Sequence, residues 1–400
     1  MKTMKLKMNF KTLATGVVMS LAVSSITSCK EDNSLDMGDE TEIFVVDKDN
    51  LQGEIKGQEV ILEEGRYTLT GKLIVEEGAK LTIKPGVEIV SSKVSSDAFA
   101  AVRYIAVSQG AEIDVQGTKE KPVIMTAEEE RPGAWGGLVV CGKAPTNKGK
   151  SAVAEVSELV YGGDDPEDNS GAIRFLRIEY SGFSYNNEKE FNGLSMFGVG
   201  NKTIIENVQV FEGSDDGFEW FGGTVNAKNL VVTNFAEEVG DDLFDWTEGW
   251  SGQGENWYGI RTNAGNRGIE ADNNSNNHLA DPISSPTIKN LTLIGAGDAG
   301  NEPQAIKLRV GTKAKFENIV LANWNTGIDI QHDEGVGYVE TGDILIDGVK
   351  FINVNKKSEG KLTDNTIVDV SKAIVENESA TGAGAGVDAP EWTKGWTRGL

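Results

Sequence analysis

Apolar and polar residues alternate along most of this chain in short phrases of two recurring kinds. One kind reads Asn207-Val208-Gln209-Val210, Asn229-Leu230-Val231-Val232, Asn290-Leu291-Thr292-Leu293, Asn318-Ile319-Val320-Leu321 and Gly348-Val349-Lys350-Phe351. The other interleaves with it, at Gly193-Leu194-Ser195-Met196, Gly268-Ile269-Glu270-Ala271, Ala305-Ile306-Lys307-Leu308 and Gly327-Ile328-Asp329-Ile330. Alternation with period two marks half-buried strands. No long stretch beyond the first 28 residues sustains a 3.6-residue period. Forty-eight glycines, with frequent Asn, Asp and Ser, supply bends between short strands.

The second phrase has a near-duplicate core. Asp215-Asp216-Gly217-Phe218-Glu219-Trp220-Phe221-Gly222-Gly223 recurs 26 residues later as Asp241-Asp242-Leu243-Phe244-Asp245-Trp246-Thr247-Glu248-Gly249. A direct repeat at this period predicts a solenoid. Two strand phrases per repeat predict an all-β parallel β-helix, each coil laying one strand on each of two sheets. Val208, Leu230, Leu291 and Ile319 then line the interior, and the leading asparagines stack at coil corners. A β-sandwich also suits short, regularly spaced strands. The direct repeat and the Asn-led register favour the helix.

The ends read differently. Residues 1–28 are a lipoprotein signal peptide, with a basic n-region (Lys2, Lys5, Lys7, Lys11) and a short apolar run from Leu13 to Val23. Ile26-Thr27-Ser28-Cys29 looks like a bacterial lipobox, with Cys29 as the lipidated residue. Residues 29–42 are an acidic tether, and 43–378 the β-helix with 43–70 as an irregular lead-in. Residues 143–170 and 251–286 are polar inserts. Residues 379–400 are a Gly/Ala linker and a cap holding Trp392 and Trp396 over the last coil.

The chain carries 62 acidic against 38 basic residues, a net charge of −24, and the leader holds four of the lysines. Nucleic acid and anionic lipid are poor partners for such a field, and divalent cations are good ones. Beyond Cys29 the only cysteine is Cys141, in the apolar run Leu138 to Cys141, which predicts a buried thiol.

Taken together, Gly133 to Asn147, Asp215 to Gly223 and Pro390 to Trp396 resemble a family of Bacteroidota surface lipoproteins. The likeness covers nearly the whole chain beyond the leader. It implies a right-handed parallel β-helix at the cell surface and no particular activity. Lys30-Glu31-Asp32 after Cys29 resembles the surface-export signal of such lipoproteins. The expected address is therefore the outer membrane, lipid-anchored and facing the medium, as a monomeric solenoid.

Candidate chemistry lies on the repeated unit. Glu219, Asp245, Glu270 and Asp329 share one phrase position, with Lys307 between the last two. If Phe218, Trp220, Phe244 and Trp246 point inward, these carboxylates stack outward in one column. Asp215, Asp216, Asp241 and Asp242 fall at the adjacent corner. Three readings stand: turn-capping aspartates beside solvated carboxylates; a structural Ca2+ held by Asp215, Asp216, Glu219, Asp241, Asp242 and Asp245; and a catalytic groove with Glu219 and Asp245 as carboxylates and Lys307 or Arg309 as base. Trp246, Trp250 and Trp257 are candidate ligand platforms, with core filling as the alternative. The only histidines, His278 and His332, read as polar loop residues. The functional expectation is a surface binding or accessory protein that captures a glycan or other ligand or docks on an outer-membrane transporter. The alternative is a polysaccharide lyase or glycosidase.

Overall fold

The computed structural model of the protein describes residues 43–93, 102–186, 189–236, 240–262, 264–297 and 299–400. The leader, Cys29 and the tether fall outside this set. Among the described residues, twenty-five strands form one continuous sheet that winds as a parallel β-helix. Its pairing is parallel throughout residues 200–330, as the repeat predicts.

Each coil has three faces, not two. The Asn-led phrases are only the second halves of longer strands. Ile204–Phe211, Asn226–Asn234, Gln253–Arg261, Thr287–Gly297 and Ala314–Trp324 each bend in the middle and contribute to two ladders. The bend is the asparagine. Asn207, Asn229, Asn256, Asn290 and Asn318 have φ of 57, 55, 59, 58 and 58°. Asparagine tolerates this left-handed region better than other side chains with a Cβ. The amides stack as expected, each Nδ2 donating to the Oδ1 one coil below. The four distances are 2.9, 2.9, 2.9 and 2.8 Å from Asn229 to Asn318.

Three expected boundaries change. Within 251–286, Gln253–Arg261 and Ile269–Ala271 are regular coil strands rather than an insert. The phrase Asn256-Trp257-Tyr258-Gly259 was hidden by its aromatic residues. Residues 43–70 are not all lead-in, because Leu51–Ile55 and Glu59–Leu62 already pair with the following coils. The C-terminal segment does not cover the last coil. It runs back along the outside of one face: Ala383 N–H donates to Thr292 Oγ1 at 3.0 Å, Tyr258 OH donates to the Val387 carbonyl at 3.1 Å, and Trp396 packs edge-on against Phe175. Arg398 ends the strap on Glu179 at 2.7 Å. That face turns apolar side chains outward (Val231, Tyr258, Ile294, Ala322) beside the hydrogen-bonding Gln209 and Thr292, so burying them favours the strap over a cap. Val370 and Ala373 join the core at the C-terminal end of the solenoid.

Val208, Leu230, Leu291 and Ile319 are fully buried in a single core running the length of the helix. Each such side chain contributes roughly 1.5–3 kcal/mol. The widest coils are filled by stacked rings, with Trp220 4.6 Å from Trp250 and 4.9 Å from Trp257 between centroids.

Candidate functional site

The third face carries the repeated unit. Strands Leu194–Phe197, Phe218–Phe221, Phe244–Thr247, Ile269–Ala271, Gln304–Leu308, Thr326–Gln331 and Lys356–Lys361 pair in strict register. Ser195, Glu219, Asp245, Glu270, Lys307, Asp329 and Glu359 therefore follow one another in a single column. Phe218, Trp220, Phe244 and Trp246 are completely buried on the opposite side of the strands. The alternation thus turns the carboxylates outward.

The aspartate pairs sit where the chain enters these strands. Asp242 N–H donates to Asp216 Oδ1 at 2.8 Å, so one aspartate does cap the turn of the next coil. Gly217 permits the close approach, since a Cβ there would lie 2.6 Å from the Leu243 carbonyl oxygen. Column and corner then merge. Oxygens of Asp215, Asp216 and Asp241 lie within 4.8 Å of one another, as do those of Asp216, Glu219 and Asp245, and of Asp242, Asp245 and Glu270.

The three triads differ in countercharge. In the last, two of the three carboxylates are paired: Arg267 bonds Asp242 at 3.2 Å and Glu270 at 2.9 Å, and Arg309 reaches Glu270 at 2.7 Å. Arg309 also holds Asp272 at 2.7 Å, while Lys307 pairs with Glu302 at 2.9 Å. Among the described residues, no cationic side chain comes within ion-pair distance of Asp215, Asp216, Glu219, Asp241 or Asp245, although the buried Arg261 is close enough to act on Asp216, Asp241 and Asp242. The first face shows what ordinary charge compensation looks like. Its outward column alternates Glu206, Lys228, Glu255, Lys289 and Glu317, with Lys228–Glu255 at 3.0 Å and Lys289–Glu317 at 2.9 Å.

Burial and mutual repulsion favour the protonated form of four of these carboxyls, Asp215, Asp216, Glu219 and Asp245. Burial, then the nearby Glu190 and Asp241, raise Asp215 well above the carboxylate range. Burial and Asp215 do the same to Asp216, burial and Asp245 to Glu219, and burial and Asp216 to Asp245. Asp242, despite Arg267, is pushed to about 6, and Glu270 to about 8, both by burial first.

The donor set fits a hard cation. Oxygens on opposite sides of a Ca2+ ion, each at about 2.4 Å, stand about 4.8 Å apart. Two further atoms point the same way. Asp245 Oδ1 is buried without a hydrogen-bond partner, and so is Oδ1 of Asn192. Asn192 is 2% exposed and donates its Nδ2 to Glu219 Oε2 at 2.6 Å. Asn192 precedes the strand phrase at a position with no sequence signal, and only the folded coil brings it to Glu219.

Other expected residues land elsewhere. Trp246, Trp250 and Trp257 are fully buried in the ring stack and present no face to a ligand. Their Gly- and Asn-rich neighbours are corner residues, and the wide coil interior takes the rings. Lys307 and Arg309 are brought to the column but are held in the ion pairs above. Cys141 is completely buried, and burial pushes its thiol up. Residues 143–170 fold back over the N-terminal part of this face. Ala154, Val156 and Tyr161 join an apolar cluster with Val139, Phe197 and Phe221, and Tyr161 OH donates to Glu248 at 2.5 Å. Beside this cover lies a cavity of about 380 Å3 lined by Lys72, Glu155, Ser157, Glu158, Tyr185 and Lys189. Glu155 on its wall is near enough to the triads to raise both Asp215 and Glu219.

No curated protein and no solved structure matches the chain. A family model described as a pectate-lyase-like beta helix domain does match it, over residues 53–397, and the chain belongs to that family.

Proposed function

We propose that this protein is a lipid-anchored binding protein of the outer cell surface that holds Ca2+ on its acidic column and uses it to capture a ligand or dock on a transporter. The observation that carries the reading is the cluster Asp215, Asp216, Glu219, Asp241 and Asp245. Its triad oxygens lie within 4.8 Å, and among the described residues no cationic side chain forms an ion pair with them. A bound cation would relieve this repulsion, and Glu155 on the wall of the neighbouring cavity is close enough to act on Asp215 and Glu219. The lipobox at Cys29 and the acidic composition support the surface address.

A polysaccharide-active enzyme is the second reading, favoured by the family description and by adjacent outward carboxylates on Glu219 and Asp245. Against it stand Lys307 and Arg309, whose ion pairs leave neither as a ready base. One experiment separates the two. Purified mature protein is incubated with a panel of neutral and acidic glycans in Ca2+ and in chelator. Retention and product release are both measured. The binding reading predicts Ca2+-dependent retention of intact glycan. Shortened or unsaturated products that vanish in a Glu219→Gln variant would establish the enzyme instead.

A further inference from the structure

The chain has two histidines, 54 residues apart in sequence, and the fold sets them ring to ring at 4.8 Å. His278 lies in the segment between Ile269–Ala271 and Thr287–Gly297, and its Nδ1 meets Glu334 Oε2 at 3.0 Å. His332 opens the helix His332–Thr341. Its Nδ1 accepts a hydrogen bond from the Val310 backbone N–H at 3.0 Å. An imidazole nitrogen that accepts from an amide is unprotonated, so His332 is neutral with its proton on Nε2. That tautomer leaves His332 no nitrogen for a metal, which rules out reading the pair as a transition-metal site in this geometry.

The bond spans a strained place. Val310 has φ of 39° and His332 φ of 68°. A β-branched residue in the left-handed region is a true outlier and persists only where its surroundings hold it. Val310 is 8% exposed, so its N–H has little access to water as a substitute partner. Arg309, one residue earlier, is the guanidinium that neutralises Glu270 and Asp272.

We propose that His332 is a pH-sensitive latch: the neutral imidazole pins the bend at Val310 to the next coil, and protonation releases that bend together with Arg309. A protonated Nδ1 would face the Val310 N–H donor to donor. The bend then loses the bond that offsets its strain, and the guanidinium loses its fixed place on the acidic column. The charged and titratable groups around the ring are His278, Glu334, Asp272 and Arg309. Burial and His278 hold the His332 pKa below its ordinary value, whereas Glu334 and Asp272 act against them. The folded state therefore binds fewer protons than the open one between about pH 6.5 and the lower folded value, and opening is favoured as pH falls through that window.

The latch operates without a bound cation, so it is tested in chelator. Hydrogen exchange of residues 309–313 is followed from pH 7.5 to 5, corrected for the intrinsic rate. The expected result is opening that grows by up to about tenfold per pH unit below about 6.5. His332→Asn is the matched control. Its Oδ1 stands where Nδ1 stood, accepts without titrating, and asparagine tolerates the positive φ. Protection in that variant should not fall as the pH is lowered, and protonation of the neighbouring carboxyls should if anything raise it. Imidazole nitrogen NMR on the unmodified protein gives a second reading and should show His332 protonated on Nε2 alone at pH 7.5. Flat protection in the wild type, the same acid loosening in His332→Asn, or a proton on Nδ1 would each overturn the latch.

Discussion

Asn256 is the middle rung of the corner ladder, and its replacement gives a graded test of what holds the coils in register. Its Nδ2 donates to Asn229 and its Oδ1 accepts from Asn290, both at 2.9 Å, with its own φ at 59°. Asn256→Ala removes both bonds, each with a net value of about 1 kcal/mol. It also places a Cβ without a local hydrogen-bonding side chain in the left-handed region, at about 1 kcal/mol or more. The expected loss is about 3–4 kcal/mol, read as a lower urea midpoint at unchanged slope. Asn256→Gly removes the same bonds without the Cβ cost. Its extra unfolded-state entropy returns about 0.5–1 kcal/mol of destabilisation, so about 2.5–3 kcal/mol is expected. A glycine variant as stable as wild type would show that the amide ladder contributes nothing. Equal losses in the two variants would show that the positive φ is not the source of the difference.

Leu230→Asp buries an unpaired charge in the continuous core and should cost several kcal/mol, visible as loss of the cooperative melt or of soluble protein. Trp257→Ala should cost about 3–5 kcal/mol, because the ring fills the stack between Trp220 and Phe244. In chelator the raised carboxylates bind more protons folded than unfolded. Stability should then rise as pH falls from about 8, the value near which Glu270 titrates, toward the unfolded range near 4. His332 acts in the opposite direction, so this is measured in His332→Asn, and Asp245→Asn should shrink the effect. Cys29→Ala should abolish lipid labelling, and alanine at Lys30 to Asp32 should lower protease accessibility on intact cells. Unchanged exposure in the latter would remove the export-signal reading.

The sequence made the solenoid legible because the repeated phrases are long enough to show their period, and the register of Glu219, Asp245, Glu270, Lys307 and Asp329 followed from it. The third face escaped because a strand that bends at one asparagine keeps its alternation on both sides and reads as a single element. The coil at Gln253–Arg261 escaped because Trp257 stands where its neighbours carry leucine. The Gly- and Asn-rich surroundings of Trp250 and Trp257 suggested an exposed ligand platform where the structure needs large core residues. The aspartate pairs were placed correctly at the corner, but which of them would be neutralised was not legible. Arg267 and Arg309 reach Asp242 and Glu270 from segments whose position depends on the bends between strands. Asn192, Val310 and His332 meet their partners only across coils, so no local pattern announces them.

The central claim is that the uncompensated carboxylates hold a divalent cation, and calorimetric titration of metal-free mature protein with Ca2+ at neutral pH tests it most directly. The account predicts saturable binding with a Kd of roughly 10⁻⁴–10⁻³ M, the range of extracellular calcium modules. It also predicts a stability gain of about 2.7 kcal/mol at one hundred times Kd, and loss of both in the double variant Asp215→Asn with Asp241→Asn. No saturable heat, with the same melting temperature in excess Ca2+ and in chelator, would contradict it and leave the column as protonated, turn-capping carboxyls.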